Sequence, residues 1–182
     1  MLMADLDSSS SEPKILDLGC GTKPYRLANI VMDINPIIRE LPDNVSKVIY
    51  DLNNIPYPFD DSSIDEIHCY QLLEHLRVHT LDFLRECYRI LKPNGTLHLH
   101  LPNAFFITAR LRFLCGSYVH DTSFHPFHVK LLKPSYVRQH LRYLGFSTTL
   151  EPSTRSRLAR LLQKLSADLF CRGIYVVARK RP

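Results

Sequence analysis

The chain has 182 residues, 45% of them hydrophobic and 23% charged, enough for one globular domain with a sizeable core. The longest uncharged stretch, Pro93–Ala109, is broken by Pro102 and two histidines, which argues against a membrane-spanning helix. The net charge of +5 is unevenly placed, with residues 1–150 balancing at −1 and residues 151–182 carrying +6.

Residues 1–12 are rich in Ser and Asp and lack an apolar core, so they are expected to form a disordered tail rather than a signal peptide. The domain proper is expected over 13–182. Ile15-Leu-Asp-Leu18 is a short apolar run carrying one acid, and it empties into Gly19-Cys-Gly21. Such a run predicts the first strand of a parallel sheet. The glycines let backbone press against a ligand where a Cβ would intrude, or simply make an ordinary strand-to-helix turn. A dinucleotide site calls for a third glycine and an acid about 20 residues further on. Here position 24 is proline and Asp33 follows Gly19 by only 14 residues, which argues against a nicotinamide-dependent oxidoreductase. Asp17 adds a fixed negative charge, better suited to a ligand with an ammonium group than to phosphates.

Only 11 residues separate Gly21 from Asp33, too few for an ordinary parallel crossover. The first crossover helix is therefore expected to shrink to about a turn around Tyr25–Leu27. Residues 31–35 predict a second strand ending at Asp33, an acid placed to accept from ribose hydroxyls or to cap the turn before Asn35-Pro36. Residues 48–52 predict a third strand ending at Asp51. The Pro- and Asp-rich run 55–63 is a loop, and 64–70 a fourth strand. Leu81, Leu84, Tyr88 and Leu91 share a helical face that stops at Lys92-Pro-Asn-Gly95, and 96–101 is a fifth strand. A helix over 134–144, a strand over 146–151, a helix from Ser153 to about Phe170 and a strand over 173–178 complete the pattern.

Leu16-Asp-Leu-Gly-Cys-Gly-Thr22, Ile55-Pro-Tyr-Pro-Phe-Asp-Asp-Ser-Ser-Ile-Asp65, Leu73-Glu-His-Leu76 and Ile90-Leu-Lys-Pro-Asn-Gly-Thr96 occur in that order over about half the chain. Together they resemble the class I S-adenosylmethionine-dependent methyltransferases, close to the type 11 group. The resemblance implies a single-domain, Rossmann-like α/β fold. Its seven-stranded, mostly parallel sheet would carry helices on both faces and an antiparallel last strand. The cofactor would be S-adenosyl-L-methionine, bound at the carboxyl ends of the first strands. Asp17, Gly19, Cys20 and Gly21 would line its methionine part, and Asp33 would hold the ribose with Ile34 beside the adenine. Asp51 and Leu52 would edge the adenine, Cys69 and Tyr70 would sit near the sulfonium, and His75 at the mouth of the active site.

Residues 102–130 fall where this family builds its substrate cover. The apolar run 104–114 with its two arginines reads either as a lid or as a buried helix. An oxygen or nitrogen acceptor must lose a proton, and histidine titrates in the right range. His75, His125, His128 and Tyr70 are the candidate bases, each equally readable as a structural side chain; His98 and His100 read as structural. Cys115, His120, His125 and His128 match no common zinc spacing, and Pro126 opposes a helical arrangement, so no metal is expected.

The basic segment 151–182 reads as a sheet-covering helix with a solvated face, followed by the last strand. Alternatively Arg155, Arg157, Arg160 and Lys164 meet an anionic partner, such as phospholipid headgroups, a phosphorylated glycan lipid or RNA. Nucleic acid is the weaker of these, since no aromatics interleave the arginines. Five cysteines without a C-x-x-C pair suit a reducing cytoplasm, with peripheral membrane contact an open alternative. The expected activity is methylation of a small-molecule or lipid-linked glycan acceptor; a non-catalytic cofactor-binding protein and an RNA-directed methyltransferase are the alternatives.

Overall fold

The computed structural model describes residues 12–116, 127–151 and 157–182. Its elements in chain order are β1 (Ile15–Leu18), β2 (Ile30–Asp33), a short 3-10 helix (Pro36–Glu40), β3 (Ser46–Ile49), β4 (Ile64–Tyr70), α1 (Thr80–Ile90), β5 (Leu91–Pro102), α2 (Ile107–Leu114), α3 (Pro134–Tyr143), β6 (Phe146–Glu151), α4 (Arg157–Leu165), α5 (Ala167–Phe170) and β7 (Gly173–Lys180).

The strands form one sheet in the order β3-β2-β1-β4-β5-β7-β6. β1 to β5 are parallel, and β7 runs antiparallel to both β5 and β6. This is a mostly parallel, Rossmann-like α/β sheet. Strand order reverses between β1 and β4, so the crevice above their carboxyl ends is where such a sheet takes a ligand.

Side-chain alternation divides the sheet. Leu16, Leu18, Ile67, Cys69, Leu97, Leu99, Leu101, Val176 and Ala178 are buried in the core. α1 and α3 pack on the strands from that side and also touch each other. α1 contributes Phe83, Leu84, Cys87 and Ile90, spaced as one helical face. The opposite face carries Glu66, His68, His98, His100 and Tyr175, all only partly buried. Parallel sheets are normally covered on both sides. The reason lies in the short first crossover: between Gly21 and Asp33 the chain makes only a turn, closed by Ala28 N–H donating to the Tyr25 carbonyl at 2.9 Å. Tyr25 itself stacks on His68 with ring centroids 3.7 Å apart.

Several boundaries differ from the sequence reading; β3 covers Ser46–Ile49 rather than 48–52, which leaves Asp51 two residues past its end. β5 starts at Leu91 rather than at 96, because Leu91 pairs with Ile64 across an irregularity in the β4–β5 ladder. Gly95 belongs to that closeness, since a Cβ there would stand 2.9 Å from the Lys92 carbonyl oxygen and 3.0 Å from that of Asp65. The expected single helix over 153–170 is two, α4 and α5, broken at an extended Ser166. Asp168 explains the break. Its carboxylate accepts from Ser135 N–H at 2.8 Å and Ser135 Oγ at 2.5 Å, capping the start of α3 and drawing α5 off the line of α4. Asn103, fully buried, donates to the Asp168 and Cys171 carbonyls at 3.1 and 2.6 Å and fixes the same corner.

The exposure of α2 argues against one of the two readings of 104–114. Only Ala109 of this helix is buried, while Leu111, Phe113 and Leu114 are 53%, 72% and 80% exposed. It is not a buried helix. No described helix is long and apolar enough to cross a membrane.

Candidate functional site

Gly19 follows β1 directly and adopts the left-handed backbone, φ 68°. A Cβ there would lie 2.6 Å from Cδ1 of Leu72, so a larger residue would push the Leu72 side chain aside as well as strain this left-handed backbone. Two cavities meet at this residue. The larger, about 640 Å³, is lined by Gly19, Asp33, Ile34, Asp51, Leu52, Asn53, Gln71, Leu72, His75, Leu76 and Arg77. The smaller, about 200 Å³, lies over the half-covered sheet face and takes in Asp17, Gly19, Cys20, Lys23, Tyr25, His68, Cys69, Tyr70, His98, His100 and Tyr175.

The predicted residues thus divide between two chambers. Asp33, Ile34, Asp51, Leu52 and His75 come together in the larger one; Asp17, Cys20, Cys69 and Tyr70 in the smaller; Gly19 serves both. Gly21 lines neither, yet its N–H donates to Asp33 Oδ2 at 2.8 Å and ties the glycine turn to the end of β2. Asp17 pairs in register with His68 and with Val31, so it shares a sheet face with His68 and with Asp33, two residues on from Val31. There it accepts from Tyr25 N–H at 2.7 Å, holding the turn that replaces the first helix. Burial raises its pKa, and the Tyr25 bond and nearby His68 partly offset that.

Asp33 is 8% exposed. Besides Gly21, it accepts from Asn35 N–H through Oδ1 at 2.8 Å, so each oxygen keeps one lone pair for a ligand hydroxyl. Asp51 lies two residues beyond β3, where its Oδ1 accepts from Asn53 N–H and Nδ2, both at 2.9 Å. The thiols are electrostatically quiet. Burial, with Asp17 and Asp33 nearby, pushes Cys20 up to about 12, and burial likewise holds Cys69 well above its ordinary range. Neither supplies a thiolate nucleophile.

Tyr70 is 63% exposed and stacks on His100, ring centroids 4.3 Å apart. Gln71 Nε2 lies 2.9 Å from His100 Nδ1, and because an amide NH₂ only donates, that nitrogen is the acceptor. His98 reaches the Tyr175 hydroxyl at 3.1 Å and stacks on His68 at 4.6 Å. Burial lowers the pKa of both His98 and His100, favouring neutral rings. His128 packs edge-on against His75, ring centroids 4.7 Å apart. His125 and Arg155 lie outside the described residues, as does any account of the Arg157 side chain. Arg160 and Lys164 are exposed and border a groove with Arg138 and Glu151.

Sequence reasoning passed over Lys23, His68, Gln71, Glu74 and Arg77. Glu74 stood in the quoted motif Leu73-Glu-His-Leu76, but no local signal marks it as buried. It is 1% exposed, neither carboxylate oxygen has a hydrogen-bond partner among the described residues, and burial pushes its pKa up to about 7.

Residues 16–99 match a family model described as a methyltransferase domain. A Mycolicibacterium smegmatis protein named "Probable S-adenosylmethionine-dependent methyltransferase" is 33% identical over 89 residues, covering 49% of this chain and 31% of its own length. The chain therefore matches under a third of that curated relative. Among solved structures, a SAM-dependent methyltransferase from Archaeoglobus fulgidus superposes with a TM-score of 0.64 at 20% identity, covering 92% of this chain and 86% of its own. The YcgJ protein of Bacillus subtilis gives a TM-score of 0.64 at 17% identity, covering 94% and 93%. With the strand order, the glycine turn and the acid ending β2 already in view, these likenesses support a class I S-adenosylmethionine-dependent methyltransferase domain over residues 16–99 and the same fold over most of the chain, and S-adenosylmethionine is the cofactor they imply.

Proposed function

We propose that this chain transfers a methyl group from S-adenosylmethionine to a small anionic acceptor, either a free metabolite or the phosphorylated head of a glycan lipid. The residues present suit the cofactor. Asp33 and Asp51 offer carboxylate oxygens to ribose hydroxyls and an exocyclic amine, Gly19 leaves room for close backbone approach, and Lys23 brings a cation toward a carboxylate. When bound, the cofactor supplies a methyl group on a sulfonium.

The observation that carries the acceptor class is a third cavity, about 560 Å³, lined by Arg77, His79, Thr80, Phe105, Arg110, Lys130, Leu131, Leu132, Lys133 and Tyr136. Arg77 also lines the larger chamber, so the two spaces share a cationic wall. Four basic side chains around one concavity, with no carboxylate among its lining residues, recruit an anion through charge-assisted hydrogen bonds. Phe105, Leu131 and Tyr136 add apolar surface, and the exposed apolar side chains of α2 stand nearby in sequence. The base that accepts the acceptor's proton is assigned to His75 or His128, with Tyr70 further off on the His100 stack.

The test is transfer of an isotopic methyl group from labelled cofactor into fractionated cell extract. Label is expected in acidic metabolites or anionic lipids, and Arg77→Ala should cut incorporation at least tenfold. Label confined to RNA, with none in metabolite or lipid fractions, would overturn the acceptor class.

A further inference from the structure

Glu74 needs a reason to be where it is. A buried carboxylate without a partner is costly, and proteins resolve that by pairing it, hydrogen-bonding it or coordinating a metal. Here neither carboxylate oxygen meets a donor among the described residues. What stands beside it is two imidazoles: one donor atom from each of Glu74, His75 and His128 lies within 4.8 Å of the other two.

The cluster is built, not incidental. The Glu74 carbonyl accepts from Val129 N–H at 2.9 Å and from Lys130 N–H at 3.2 Å, which fastens the 127–132 segment over the turn after β4. That fastening carries His128 to its edge-on position against His75. His75 Nδ1 lies 3.1 Å from the Phe127 carbonyl oxygen. A carbonyl only accepts, so Nδ1 carries the hydrogen and Nε2 keeps its lone pair for a ligand. A backbone carbonyl orienting a ring through its other nitrogen is the usual support of a metal-bound histidine.

We propose that Glu74, His75 and His128 bind a single divalent transition-metal ion on the wall of the larger chamber. One carboxylate with two imidazoles suits zinc, manganese or ferrous iron, whereas magnesium and calcium favour oxygen ligands alone. Metal–ligand bonds of about 2.0–2.2 Å bring tetrahedral donors to roughly 3.4 Å apart, a closure within reach of side-chain rotation. Three protein ligands leave coordination positions open, and His75 faces the chamber shared with Asp33 and Asp51. Those positions suit an oxygen of the acceptor, which the ion would acidify in place of the proton-accepting role given above to His75 or His128. This acceptor role rests on the proposed function; metal binding itself does not.

The test is calorimetric titration of the chelator-treated full chain with Zn²⁺, Mn²⁺ and Mg²⁺, alongside its melting temperature. Wild type is expected to take up one equivalent of Zn²⁺ or Mn²⁺ with a rise in melting temperature. Glu74→Gln and His128→Ala should each weaken binding at least tenfold, while His98→Ala, in the chain's other glutamate–histidine cluster, binds as wild type. His128→Ala also guards against a folding defect in the Glu74 variant, and its thermal response to S-adenosylhomocysteine should persist. No uptake of Zn²⁺ or Mn²⁺ at millimolar concentration, preference for Mg²⁺, or loss through His98→Ala but not His128→Ala would each overturn the assignment.

Discussion

Two clusters of one glutamate and two histidines lie on opposite sides of the Gly19 turn, and they use the same residue types to different ends. Glu66, with His68 and His98, borders the smaller chamber. Its Oε1 already meets His68 Nε2 at 2.5 Å and His98 Nε2 at 3.5 Å, and the rings stack in a ladder continued by Tyr25. Glu74, with His75 and His128, reaches the larger chamber through His75 and has a carboxylate with no hydrogen-bond partner among the described residues. The lesson is that residue type does not mark a ligand site; satisfaction does. A carboxylate whose neighbours complete it is structure, and a buried one left incomplete points outward.

The sharpest way to break this comparison is to remove each carboxylate while keeping its bulk. In chelator, Glu74→Met is expected to raise unfolding stability by about 1–3 kcal/mol, because a buried group without partners is replaced by one that needs none. Glu66→Met should do the reverse, by less than about 1 kcal/mol, since its partly exposed ion pair is solvent-screened. Urea denaturation of both variants measures the signs. If Glu74→Met destabilises the metal-free chain as much as Glu66→Met, the two clusters are equivalent and the contrast fails.

A smaller effect distinguishes the histidine ladder. Burial, with His68 alongside, holds His98 below its ordinary 6.5, although Glu66 and Glu151 pull the other way. The unfolded chain therefore takes up a proton at this site before the folded chain does. The contribution of neutral His98 is complete above about pH 6.5 and is lost as pH falls through the window beneath it. The readout is the stability difference between wild type and His98→Gln from pH 7.5 to pH 5, which cancels other titrating groups, Glu74 among them. Relative to the variant, wild type should lose stability toward the acid end; a difference that stays flat would contradict a buried neutral ring.

Most of the sheet was legible because its signals are local. Short apolar runs ending in glycine or an acid located β1, β2 and β4, and the spacing of Leu81, Leu84 and Tyr88 located α1. The shortened first crossover followed from counting the residues between Gly21 and Asp33. What escaped depends on long-range contacts. The break at Ser166 is set by Asp168 reaching Ser135, a partner 33 positions away in sequence. The early start of β5 depends on Ile64 across the ladder. Residues 127–132 fasten to the Glu74 carbonyl from more than 50 positions away, which nothing near the Leu73-Glu-His-Leu76 motif announces.

The proposed role of the larger chamber, with Asp33 on its wall, is to receive the nucleoside part of S-adenosylmethionine. The direct measurement is the melting temperature with and without S-adenosylhomocysteine for wild type and Asp33→Ala, each first shown to melt cooperatively alone. Because a ligand bound only by the folded chain raises stability by mass action, wild type is predicted to shift upward with ligand concentration and Asp33→Ala to lose most of that shift. An unshifted wild type, or a variant that responds as fully as wild type, would contradict the claim.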